Sequence, residues 1–182
     1  ERRELVQVVS KAIARRMDQL CIDALDAASS PSTVATGVGG STTNMNIAKL
    51  RAAAKALNEK NVPAEGRHIL MHSSQLDALL SETEVTSSDF AVVKALVRGE
   101  VSSFMGFNIM TMGDRDEGGV PKPSTRTCFA WHESSMGYAE SISQKSEVNY
   151  IPEKTSFLVS SMFSAGAIAI DDEGIVKISC TE

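Results

Sequence analysis

The sequence holds one tryptophan, two tyrosines and three histidines in 182 residues, and aromatic side chains make up only 5% of it. So few imidazoles leave little material for histidine acid–base catalysis or a zinc site. Cysteine is scarce as well. Cys21, Cys128 and Cys180 lie far apart, are odd in number and form no CxxC pair. That argues against a disulfide framework and reads as three small buried hydrophobes in a reducing compartment. No apolar run approaches the roughly 18 residues of a membrane-spanning helix, so no membrane partner is expected. Positive charge is short too. The formal net charge is −5, the acidic excess falls in residues 67–182, and no basic stripe is evident. Such a chain is a poor nucleic-acid binder, because phosphate affinity comes from clustered Lys and Arg.

Recognisable chemistry is equally thin. His68 and His72 have a metal-ligand spacing only on a helix; RHILMH reads as a strand, where four residues span about 13 Å. His132 reads as a loop or strand-end histidine. Gly37-Val38-Gly39-Gly40-Ser41 lacks the GxxxxGK[ST] spacing of a phosphate loop. Asp114, Asp116 and Gly118 mimic part of a calcium loop but lack the closing bidentate Glu. There is no GxSxG. No catalytic, cofactor-binding or metal residue is therefore expected, no cofactor is needed, and the chain does not read as an enzyme.

What is present is ordinary globular material: 42% hydrophobic and 23% charged residues, with a mean hydropathy of −0.07, enough for one domain or two interleaved ones. Leu5, Val9, Ile13, Met17, Leu20 and Ala24 follow helical spacing, predicting one helix over 4–28 on the order of 36 Å long. Ser29-Ser30-Pro31 stops it. The run PSTVATGVGGSTTN (31–44) reads as a flexible, exposed linker. Thr43 or Asn44 would cap a second helix carrying Ile47, Leu50, Ala54 and Leu57, ended by Asn61 and Pro63. A strand is predicted at 67–72, then short helices around Leu76–Leu80 and 87–98. A strand over 100–112 and a mobile polar loop over 113–125 come next. Further strands are expected at 127–132, 157–163, 167–170 and 175–180, with Asp171-Asp172-Glu173-Gly174 as a hairpin turn between the last two. Helices grouped early and strands late favour an α+β class.

The run AKLRAAAKALNEKNVPAEGRHILMHSSQLDALL (48–80) resembles a segment of tailed-phage major capsid proteins. The features in order are Asn61-Val62-Pro63 closing a helix, Arg67, a short strand, and the pair Leu79-Leu80. Then come Gly99-Glu100-Val101, Met105-Gly106-Phe107 and the turn before Ile175-Val176-Lys177-Ile178. The resemblance covers most of the chain, best at 44–112. It implies a Hong Kong 97-like capsid fold: a long spine helix in a peripheral domain (1–33), an inserted axial domain (34–126), and return strands of both domains (127–182). The implied role is a structural subunit of an icosahedral phage capsid that self-assembles into pentamers and hexamers of a shell. That shell would enclose double-stranded DNA without binding it specifically. Scaffold, portal and decoration proteins are the implied partners, with assembly in the host cytoplasm and residence in the virion. The family's N-terminal arm and extended β-loop have no counterpart ahead of Glu1, so an upstream segment is expected, and this chain alone is expected to fold without closing shells. Two rival readings stand beside it. One is an encapsulin nanocompartment shell, betrayed by cargo peptide. The other is a small hydrolase or ligand-binding domain, betrayed by a deep pocket with convergent titratable groups.

Overall fold

The computed structural model describes residues 2–40, 43–81, 103–115 and 118–181; the helix expected over 87–98 and Asp116 lie outside these. The first helix, α1 (Arg2–Asp26), is a single unbroken element of 25 residues, because neither Gly nor Pro interrupts it. Its two halves are buried differently. In the N-terminal half only one stripe, centred on Ile13, turns inward. In the C-terminal half Ile22, Ala24 and Leu25 are buried together. Among the described residues no helix is long and apolar enough to cross a membrane.

Among the described residues the other α-helices and strands are β1 (Ser32–Val34), α2 (Ile47–Glu59), β2 (Arg67–His72), α3 (Ser73–Ser81), β3 (Ser103–Phe104), β4 (Phe107–Met112), β5 (Arg126–His132), β6 (Met136–Ile151), β7 (Ser156–Ala169) and β8 (Ile175–Cys180). Six strands form one sheet in the order β1-β8-β5-β2-β4-β3, and β6 and β7 form a separate two-stranded sheet. Within the large sheet β1·β8 and β2·β4 are parallel, and β5 runs antiparallel to both β2 and β8.

Both faces of the large sheet are covered. Ile69, Met71, Cys128, Ala130 and Ile178 pack with Leu50, Ala53 and Leu57 of α2 and Leu79 of α3. Leu70, Phe129, Trp131 and Ile175 point the other way and pack with Ile22, Leu25 and Ala28 at the end of α1. A strand covered on both faces needs no polar alternation, which is why RHILMH reads as a continuous apolar run. The hairpin of β6 and β7 leaves this three-layered body, and the N-terminal half of α1 runs along it.

Several sequence expectations are corrected. The 31–44 run is not simply a linker. Ser32, Thr33 and Val34 pair with Val176, Lys177 and Ile178, and Val34 is buried, because a Thr-Val pair suits a strand and β8 otherwise has an open edge. The cap of α2 is Asn46 rather than Thr43 or Asn44; its side chain accepts the Lys49 N–H at 2.8 Å. The strand expected over 100–112 is split by a tight turn at Met105 and Gly106, both at positive φ. The 113–125 loop is tied down rather than free: Arg115 pairs with Asp18 of α1, the Gly119 N–H donates to Gln19 Oε1, and Val120 is buried. The segments 157–163 and 167–169 belong to one strand, β7, with Ile170 just beyond its end. The Asp171–Gly174 turn is no hairpin, since both edges of β8 are taken by β1 and β5 and β7 must pair elsewhere. Boundaries at 33/34 and 126/127 fall inside β1 and β5 of the same sheet.

Candidate assembly surfaces

The most unusual surface belongs to the hairpin. Met136 pairs with Ala169 at its base and Ile151 with Ser156 at its tip, with register irregularities between Glu140 and Lys145. Along β7 the side chains alternate: Ser161, Phe163, Ala165 and Ala167 are part-covered, while Met162, Ser164 and Ile168 are exposed. The covered set faces α1, and the Gln144 amide donates to Ser10 Oγ across that seam. The other face carries Ile142, Leu158, Met162 and Ile168 into solvent, and near the tip Tyr150 and Phe157 stack at 5.2 Å while both stay exposed. Large apolar side chains on both faces of a thin hairpin constitute a patch of the kind that marks a protein-interaction surface. The sequence gives little sign of β6. SISQKSEVN has no apolar alternation, because neither face of that strand enters the core.

The sequence's candidate sites do not converge. His68 lies with its ring centroid 5.7 Å from that of Trp131. His72 holds Ser74 through Nδ1, with its Nε2 3.7 Å from Asp114 Oδ1. His132 closes β5, with Nδ1 2.7 Å from Ser134 Oγ. Among the described residues no group of three His, Cys, Asp or Glu side chains could hold a metal. The glycines at 37–40 form a turn packed against Asn46, whose Nδ2 donates to Val38 O at 3.0 Å. Cys128 and Cys180 are fully buried free thiols and Cys21 is half-buried.

Two buried cations are missed by sequence reasoning. Arg126, 1% exposed, donates to Asp114 Oδ1 at 2.7 Å and to Val120 O at 3.3 Å, clamping the 113–125 loop to β5. The Arg126 hydrogen bond holds the Asp114 carboxyl below its ordinary range. Lys49, fully buried, donates to Thr43 O and Ser179 O.

His72 is pushed down, first by burial and then by Arg126, with Lys122 adding to the shift and Asp114 opposing it. The folded protein therefore resists protonating His72. Its contribution to stability is complete above the ordinary imidazole pKa of about 6.5 and is lost as pH falls from there toward the depressed folded value. Urea unfolding across that window is expected to show stability falling with pH, and His72→Gln to flatten the fall. An equal slope in the variant would remove His72 as the cause.

A groove of about 360 Å³ separates α1 from the large sheet, lined by Cys21, Leu25, Met110, Met112, Trp131 and Met136 among others, with Asp18 and Arg115 also on its wall. Its lining is mostly apolar, and the two charged residues neutralise each other.

A family model described as phage capsid protein matches residues 1–182. No curated protein matches the chain in sequence. Solved structures do resemble it in shape. One, of Mycobacterium phage Che8, superposes with a TM-score of 0.70 at 18% identity, over 96% of this chain and 61% of that one. The capsid of cyanophage P-SCSP1u gives 0.72 at 17% identity, over 100% of this chain and 66% of that one. The SrpI encapsulin of Synechococcus elongatus PCC 7942 gives 0.62 at 12% identity, over 100% and 66%. The chain thus spans less than two thirds of the length of each of these chains.

Proposed function

The chain belongs to the phage capsid protein family, and from that premise we propose that it is the main part of a shell subunit that self-assembles around double-stranded DNA. The fold is the Hong Kong 97-type capsid fold seen in its structural neighbours. The observation that supports the role most directly is the β6–β7 hairpin, whose apolar side chains lie exposed on both faces. A lone subunit gains nothing from them; a subunit surrounded by copies buries them.

On this reading α1 and the hairpin form the peripheral region, and the six-stranded sheet with α2 and α3 forms the axial region. The clamp from buried Arg126 to exposed Asp114 and the Lys49 contacts tie the axial body together. That matters because shell curvature is the sum of many repeated contact angles. The role is structural rather than catalytic, and the DNA is enclosed without sequence-specific contact. Scaffold, portal and decoration proteins are the partners this role would require, with assembly in the host cytoplasm before the particle becomes a virion.

Electron microscopy of the full-length protein expressed alone or with its scaffold is expected to show regular icosahedral particles. Failure to form closed particles under either condition would sink the proposal. The likeness to an encapsulin supports one second reading, a nanocompartment shell. Particles that carry a protein cargo and no packaged genome would favour it.

A further inference from the structure

Two patches on the α1–hairpin layer have opposite chemistry. The first lies on the side of α1 turned away from the hairpin. Leu5 and Val8 are 54% and 64% exposed there, and helical spacing brings Lys11 one turn beyond Val8 and Arg15 one turn beyond that, with a single acid, Glu4, one turn before Val8. The second lies at the hairpin's base, on the face turned away from α1. Ile168 and Ile170, 65% and 67% exposed, are the two most exposed large hydrophobics among the described residues. Asp171, Asp172 and Glu173 follow them directly, Glu173 being shared with Lys60 at 3.1 Å.

Singly exposed apolar side chains are ordinary. Here each apolar pair is bordered by one predominant sign of charge, and the two signs differ. The patches cannot meet within one chain. Asp172 accepts the Ser30 N–H just beyond the C-terminal end of α1, so the second patch sits most of a helix length from Leu5, on the opposite face of the layer.

We propose that these patches are the two halves of one contact between neighbouring copies: the Leu5–Val8 patch of one seats on the Ile168–Ile170 patch of the next. This rests on the shell reading above. Pairing either patch with itself would oppose like charges. Pairing one with the other is heterologous, so each copy engages two neighbours and the contact propagates around a ring or across a shell instead of stopping at a dimer. The isoleucines and the Leu5–Val8 pair lose water, the charges fix orientation, and the contact weakens as salt screens them.

Cross-linking tests it. The full-length protein carries Cys21→Ser and the replacement of any cysteine outside these 182 residues; Cys128 and Cys180 are buried. One preparation carries Val8→Cys and another Ile170→Cys. They are mixed under assembly conditions and oxidised with copper–phenanthroline. A reducible two-chain band is expected in the mixture and at most a faint one in either preparation alone. Equal bands in the separate preparations would mean a patch pairs with itself, and no band would mean the patches do not meet; either overturns the proposal. Microscopy of the same samples separates the two claims. Particles without the cross-link leave the shell reading intact and remove this contact. The mixed cross-link without particles keeps the contact and removes shell closure. Absence of both overturns both.

Discussion

Replacing Lys49 by methionine is expected to lower the thermal unfolding midpoint by about 6–12 °C. Lys49 sits in the first turn of α2 and is fully buried. Its Nζ donates to Thr43 O at 2.6 Å and to Ser179 O at 2.9 Å, and the Thr181 N–H donates to the same Thr43 carbonyl. One ammonium thus joins the loop before α2, the helix start and the end of β8. Burial pulls the Lys49 pKa down, and the neighbouring Cys180 and Cys128 thiols push the other way. Methionine is similar in length, so packing is largely kept while two carbonyls lose a charged donor. Ser179 O is left without that donor, at about 1–3 kcal/mol, while Thr43 O keeps the Thr181 N–H and loses only the charged bond, so the total comes to about 3 kcal/mol. A chain of this size moves by about 2–4 °C per kcal/mol. Circular dichroism melting checks it. An unchanged midpoint would mean that both carbonyls find water, so that the Lys49 contacts are dispensable.

What the sequence made legible follows from which surfaces enter the core. Helix α1 could be read from its spacing because one stripe turns inward along most of its length, although Leu5, the first residue of the predicted stripe, is 54% exposed. Strand β2 could be read because both of its faces are covered. The same logic explains the failures. Strand β6 exposes both faces, so no pattern marks it, although it is the longest strand described. The run AIAI, with Ile168 and Ile170, looks like a buried strand in sequence, yet both isoleucines are exposed. Apolar character cannot say whether the covering surface belongs to the same chain or to another. Lys49 and Arg126 were illegible for a different reason. Their charge suggests solvent, and the partners that satisfy them lie elsewhere in the chain, Ser179 being 130 residues from Lys49. His72 and Asp114 serve a local hydrogen bond and a structural clamp, and His68 lies against Trp131, whereas the surfaces that bear on assembly are spread over α1 and the hairpin.

Introducing Leu158→Glu and Met162→Glu together is expected to leave the melting midpoint unchanged and to abolish particle formation. Both side chains lie on the hairpin face turned from α1, 48% and 57% exposed. Surface substitutions of this kind usually change stability by no more than about 0.5 kcal/mol. Met162 lies opposite Lys145, which Glu147 also holds at 2.8 Å, and Leu158 opposite Asn149, so a carboxylate at 162 shares an existing cation across the strands. Assembly should respond in the other direction. If neighbouring copies cover this face, each contact must desolvate two carboxylates, at a cost of about several kcal/mol for each that stays unpaired. Because the same surface recurs in every subunit, that penalty is repeated at each contact across the shell. Conditions that give particles with the parent protein should then give only monomers or isolated capsomers. Light scattering and negative-stain microscopy on melt-matched samples decide it. Normal particles from the double variant would show that this face of the hairpin stays in solvent, and would move the subunit contacts to α1 and the axial body.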